Sequence, residues 1–147
     1  MPKGNLEITI AAAPAKVFAF VADLEGAPDW VPDLVSVTKL TEGPVGVGTQ
    51  YSEIVKVADK EGAGSLEVTR YEPDRVFAHK GQGGPAKFTA TFTVEPSGDG
   101  ARVVHEYEVK LSGMAKLMSP VLTTWMKKNG EKALANLKSR LEGGAGG

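Results

Sequence analysis

A chain of 147 residues with 41% hydrophobic and 24% charged side chains carries enough apolar material for one packed domain and too much for disorder throughout. Its 17 basic and 18 acidic residues leave a formal net charge of −1, so no basic surplus exists to neutralise phosphates and nucleic acid is not an expected partner. Zero cysteines exclude disulfides, thiol catalysis, Cys-ligated zinc and iron–sulfur clusters. No apolar run approaches the roughly 20 residues of a membrane span, so stable membrane insertion is not expected. Met1-Pro2-Lys3-Gly4-Asn5 lacks the apolar core of a secretion signal, and a cytoplasmic monomer or homodimer is the expectation.

In chain order, Leu6–Ile10 alternates apolar and polar residues and predicts a strand. Pro14 suits the first turn of a helix over Ala15–Asp23, with Val17, Phe18 and Val21 on one stripe. Pro28 and Pro32 bracket Trp30 in a second short helical or irregular stretch. Strands are predicted at Val35–Leu40 and Thr49–Val57, joined by the turn-rich Thr41–Gly48. Four more follow at Ser65–Tyr71, Val76–Lys80, Ala86–Glu95 and Ala101–Leu111. The intervening turns are Glu72–Arg75, Gly81–Pro85 and Pro96–Gly100. From Met114 to Leu141 the apolar period becomes helical, with Pro120 as a kink or the true start and Ser119 as a cap. Residues 143–147 read as a flexible glycine-rich tail. The fold expected is α+β: a curved seven-stranded antiparallel sheet wrapped around a long C-terminal helix, with two short helices after strand 1 and one domain over residues 1–142. From Pro120 the helix would run roughly 33 Å, about the width of seven strands, so that one helix covers the concave face.

Alternation assigns faces. A Gly98-Asp99 turn pairs Val94 with Val103, Phe92 with His105, Ala90 with Tyr107 and Phe88 with Val109. A slip of one residue would destroy this apolar agreement. The inner face therefore carries those residues and Leu111; the outer face carries Thr89, Thr91, Thr93, Glu95, Glu106, Glu108 and Lys110. A four-residue loop Gln82–Pro85 would pair His79 with Phe88 and Phe77 with Ala90. Tyr51, Glu53, Val55 and Val57 share a side, placed inward. Arg70 points inward after a Pro73-Asp74 turn and outward if a bulge intervenes.

Several phrases resemble the polyketide cyclase/dehydratase and lipid-transport superfamily, the START-like or SRPBCC helix-grip proteins. They are Ala13–Asp23, Trp30-Val31-Pro32, Gly46-Val47-Gly48-Thr49, Tyr71-Glu72-Pro73 and Gly100–His105, and their order spans Leu6 to Leu141. The resemblance implies a cavity between sheet and long helix. It does not single out a reaction, since members include carriers of lipids, hormones and pigments, aromatase/cyclases and cochaperones. It also implies that loops such as Gly81–Pro85 form the cavity mouth, with Thr41–Gly48 as a second gate.

Aromatic and aliphatic walls with few polar tips suit a small-molecule pocket. The expected ligand-binding residues are Tyr51, Val55, Phe77, His79, Phe88, Ala90, Phe92, His105, Tyr107, Met118, Leu122, Trp125, Met126 and Gly130. Ala90 between Phe88 and Phe92 hints at space; Gly130 marks either close packing or an open cavity. Each histidine is either a general base or simply hydrogen-bonded to a neighbour or water. The pairing puts His79 and His105 roughly 16 Å apart, too far for a shared metal, and no metal or cofactor is expected. Glu53 is either an acid of raised pKa or a rim residue paired with water or Arg70. Trp125 is wall or plain core. Lys127, Lys128, Lys132, Lys138 and Arg140 read as a solvated helix face. The function expected is binding of a hydrophobic small molecule of lipid, polyketide or aromatic type. The alternatives are a polyketide cyclase/dehydratase-like enzyme, with His105 as base and Tyr107 or Glu53 as proton donor, and a cochaperone-like interaction domain.

Overall fold

The computed structural model describes residues 3–57 and 59–143, without the side chain of Val57. The expected inward side chain of Val57 and the tail at 144–147 lie outside the described residues. The strands are β1 (Lys3–Ile10), β2 (Leu34–Lys39), β3 (Gln50–Val57), β4 (Lys60–Glu72), β5 (Val76–Gly83), β6 (Ala86–Ser97) and β7 (Gly100–Leu111). They form one antiparallel sheet in the order β1-β7-β6-β5-β4-β3-β2. Helix α1 (Pro14–Ala22) and a 3₁₀ segment (Leu24–Asp29) separate β1 from β2. A second 3₁₀ segment (Gly113–Met118) leads into α2 (Ser119–Glu142). Among the described residues, no helix is long and apolar enough to cross a membrane.

Local chemistry explains the cover at one end of the sheet. Pro14 opens α1, where a missing N–H costs nothing, and Val17, Phe18, Val21 and Ala22 are buried. The chain then turns at Asp23, whose carboxylate accepts the N–H of Gly26 and starts the 3₁₀ segment. Phe18 meets Tyr71 and Phe77 edge to face at 5.4 and 6.5 Å, anchoring α1 on β4 and β5.

The β6–β7 register is the expected one, with Phe92 opposite His105 and Ala90 opposite Tyr107. The β5–β6 hairpin is tighter than expected. Gly81, Gln82 and Gly83 belong to β5, and the turn is Gly84-Pro85, with Gly84 at φ 54°. His79 therefore faces Ala90, and Phe77 faces Phe92. The shift is two residues, so both side chains keep their face. Gly81 sits in a strand because nothing larger fits: a Cβ there would lie 2.5 Å from Phe88 Cζ and 2.5 Å from the Ser65 carbonyl oxygen. β4 likewise begins at Lys60, five residues before its apolar pattern does, through Gly62 and Gly64. A bulge between Val68 and Arg70 turns Arg70 outward to pair with Glu72.

Helix α2 begins at Ser119, with Pro120 in its first turn; Met118, not Ser119, is the cap. Only its C-terminal half is buried, through Gly130, Ala133, Leu134, Leu137 and Leu141. Val121 and Trp125 of its first half, with Met114, Leu117 and Met118 before it, remain exposed. The expectation that one helix seals the concave face thus fails for its first half. The C-terminal half is fastened by polar side chains. Lys138 donates to the Thr9 carbonyl, Arg140 to the Asp29 carbonyl, and Glu142 accepts the Ala11 N–H. Lys138 and Arg140 are therefore docking residues, not part of a merely solvated face.

Candidate functional site

Where α2 lifts from the sheet, a cavity of about 260 Å³ remains. Its roof is Trp125, Met126, Asn129, Gly130 and Ala133. Its floor is Glu53 and Val55 of β3, His79 of β5, Phe88, Ala90 and Phe92 of β6, and His105 and Tyr107 of β7. Alternation along four strands aims these side chains to one face, and Ala90 leaves the middle of the floor low. Asn129 and Asn136 donate to the carbonyl oxygens of Pro32 and Trp30, so α2 holds the end wall in place.

Among the expected site residues, Val55, His79, Phe88, Ala90, Phe92, His105, Tyr107, Trp125, Met126 and Gly130 line this cavity together with Glu53. Tyr51 and Phe77 do not. They lie in the packed core, where burial, with smaller effects of Glu25, Asp23 and Tyr71, pushes the Tyr51 hydroxyl up to about 12. Leu122 borders an adjoining groove, and Met118 is exposed ahead of it. The Thr41–Gly48 connector contributes nothing to the wall; Gly48 is tied to the Val68 carbonyl instead. Gly83 and Gly84 do border the adjoining groove. The residues that sequence reasoning misses are those of the end wall around Trp30, including Val21, Leu24, Ala27, Val31, Leu34 and Val37. The Trp30-Val31-Pro32 phrase was their one visible signal. Gly130 lines the cavity and also approaches Leu6, whose mobile Cδ1 would lie 2.7 Å from a Cβ there.

The polar tips are few and mostly unpartnered. The Glu53 residue is 8% exposed, and no hydrogen bond or ion pair to its carboxyl occurs among the described residues. Burial pushes its pKa up to about 7. The rim pairing with Arg70 is thereby corrected: the bulge carries Arg70 to the other face. Burial lowers His79 to about 4, and burial together with His79 lowers His105 to about 4. Both imidazoles are neutral at physiological pH. The Nδ1 atoms of His79 and His105, Nε1 of Trp30 and the hydroxyl of Tyr51 are buried without a partner among the described residues. His105 stacks on Phe92, with centroids 4.1 Å apart. The corrected hairpin register brings the histidines to two residues off register, or roughly 12 Å by strand spacing. Among the described residues, no three His, Cys, Asp or Glu side chains gather as metal ligands. Tyr107 leans over β1 so closely that a Cβ on Gly4 would lie 2.3 Å from its hydroxyl.

A curved antiparallel sheet gripping a terminal helix, with an apolar cavity between them, defines a helix-grip protein. The chain belongs to the polyketide cyclase / dehydrase and lipid transport family, whose match spans residues 1–142. A START superfamily protein from Mycobacterium smegmatis is similar at TM-score 0.81 and 18% identity, over 95% of this chain and 96% of that one. A protein from Thermus thermophilus is similar at TM-score 0.80 and 21% identity, over 95% and 97%. The di-domain ARO/CYC StfQ from the steffimycin biosynthetic pathway matches at TM-score 0.80 and 14% identity, over 99% of this chain and 52% of that one. At these identities the likeness is one of fold. No curated protein matches the sequence.

Proposed function

We propose that this protein binds a hydrophobic small molecule, of lipid, polyketide or aromatic type, in the cavity beneath α2. One observation carries the reading: an apolar-walled hollow with the Glu53 carboxyl on its floor, to which no hydrogen bond or ion pair is made among the described residues. An unpartnered buried polar group costs about 1–3 kcal/mol, and a ligand that pairs with it removes that cost. Apolar contact with Phe88, Phe92 and Trp125 supplies affinity at about 25 cal/mol per Å². Native mass spectrometry of freshly purified protein, paired with thermal melting in the presence of apolar dyes and lipids, tests this. A ligand at a hundredfold its Kd stabilises by about 2.7 kcal/mol. Ala90→Leu fills the floor and abolishes that rise. A protein that no apolar compound stabilises is not a carrier.

A second reading, an acid–base enzyme, has one observation in its favour. Glu53 titrates near neutrality inside the cavity, which suits a proton-transfer group. His105 suits that role less, because its conjugate acid is lost near pH 4. In this reading Glu53 moves the proton and His105 and Tyr107 orient the substrate. The ARO/CYC fold relative is consistent with it.

A further inference from the structure

The cavity does not end at its floor. A groove of about 470 Å³ adjoins it, and the two share Glu53, Val55, Phe88, Trp125 and Met126 as a common boundary. Beyond that boundary the sheet loses its side chains. Gly62 lies opposite Val55 and Gly64 opposite Glu53; Gly83 and Ala86 continue the inner face on β5 and β6. Inner-face positions on three successive strands thus carry nothing longer than a methyl group. Glycine within strands weakens them, and here it clears a trough under the exposed first half of α2. The Glu53 carboxylate stands at the step: a Cβ on Gly64 would come within 3.0 Å of its Oε2.

The charge of the combined site is one-sided. Among the described residues the cavity lining contains one carboxylate and no Lys or Arg, and its two histidines are neutral. Lys60 borders only the trough, beside Glu61. An anionic headgroup would find no cation in the cavity, whereas a cation would find an unpaired carboxylate. We propose that the ligand is an elongated apolar amine, its cationic nitrogen at Glu53, one arm among the aromatic walls of the cavity and the other on the glycine floor of the trough. This rests on the reading that the cavity binds a hydrophobic molecule.

Isothermal titration with N-benzylhexylamine, its neutral isostere benzyl hexyl ether and the truncated N-methylbenzylamine tests it, with an apolar fluorescent dye as a control for the cavity itself. The intact protein should bind the amine at least about tenfold more tightly than the ether, a difference of about 1.4 kcal/mol. Glu53→Gln should bring the two within about twofold. Gly62→Leu adds a side chain where a Cβ meets nothing within 4 Å. It should weaken N-benzylhexylamine several-fold and leave N-methylbenzylamine unchanged. The amine–ether comparison needs no variant, so it decides even if a substitution unfolds the chain. Equal binding of amine and ether by the intact protein overturns the proposal, as does a preference that survives Glu53→Gln. Binding of the dye but not of the amine rejects this inference alone. Failure of every probe and of the dye rejects the carrier reading together with it.

Discussion

The imidazole of His105 lies parallel to the ring of Phe92, across the β6–β7 pair, at an interplanar angle of 6°. The stack fixes the ring where its Nδ1 has no partner, so His105 contributes packing while its nitrogen remains a cost. His105→Phe keeps the stack and removes the orphan atom. Its melting temperature should equal or exceed that of the parent, while selectivity among ligands that hydrogen-bond at this point is lost. His105→Ala removes the stack as well and should cost about 3 kcal/mol, within the range for deleting large buried rings. Urea denaturation of both variants checks the ordering.

Two glycines of the inner surface should respond oppositely to alanine. At Gly81 a methyl group meets Phe88 Cζ and a backbone carbonyl oxygen, both at 2.5 Å, and the backbone oxygen cannot swing away. Gly81→Ala should destabilise by about 2 kcal/mol or more, as overpacking does. At Gly130 the obstacle is the tip of Leu6, 2.7 Å away on a flexible side chain. Gly130→Ala gains about 1 kcal/mol of helix propensity, which offsets the shift of Leu6. It should stay within about 0.5 kcal/mol of the parent or rise above it. Thermal denaturation of the pair distinguishes these outcomes.

How far the sequence was readable follows from where residue identity alone carries geometry. In β6 and β7 the alternation is unbroken and the Gly98-Asp99 turn short, so register and inner face were legible residue by residue. The β5–β6 hairpin is tighter than the sequence suggests because Gly81-Gln82-Gly83 has the composition of a turn. What keeps it in a strand is its pairing with β4 on one side and β6 on the other, tertiary contacts that composition does not reveal. Arg70 was undecided because a one-residue bulge reverses direction and leaves no local mark. Tyr51 shares a face with Glu53, yet it is buried in the packed core and does not line the cavity. Met118 and Val121 continue a helical apolar stripe but remain exposed, because period shows only that a helix has an apolar face, not that something covers it. The end wall around Trp30 shows in the sequence only through the Trp30-Val31-Pro32 phrase, for a similar reason: a 3₁₀ segment has no long period to read.

If Glu53 moves protons for a substrate, it should do so measurably on a simple probe. In D₂O, an enolisable aryl ketone that fits the cavity should exchange its α-hydrogens faster with the protein than in buffer. NMR follows the loss of proton signal. Glu53→Gln should abolish the excess, a loss within the roughly 10²–10⁴-fold ordinarily supplied by general acid–base groups. His105→Phe should retain most of it, since a neutral imidazole of such low basicity is a poor proton acceptor at pH 7. Exchange that survives Glu53→Gln but vanishes in His105→Phe would reverse the assignment.

The three buried titratable groups of the cavity give ligand-free stability a definite pH profile. His79 and His105 fall from 6.5 to about 4 on folding, so the unfolded chain takes up their protons first and stability is lost as pH drops through 6.5 toward 4. Glu53 rises from 4.5 to about 7, so the folded state holds the extra proton and stability is lost as pH climbs from 4.5 to 7. Between about pH 5 and 6 the histidines favour the unfolded state by up to two protons and Glu53 favours the folded state by one. The net is one proton, or about 1.4 kcal/mol per pH unit, rising with pH. Near pH 7 the protons still held by the unfolded histidines and by folded Glu53 cancel, so the contribution of these groups should rise until about pH 7 and stay level above it. Glu53→Gln removes the opposing proton: the rise below pH 6 should steepen toward about 2.7 kcal/mol per unit and continue to about pH 7.5 instead of levelling near pH 7. Urea midpoints taken every half unit from pH 4.5 to 8 supply the curve. An unchanged slope in Glu53→Gln would mean that the carboxyl is not held protonated in the cavity.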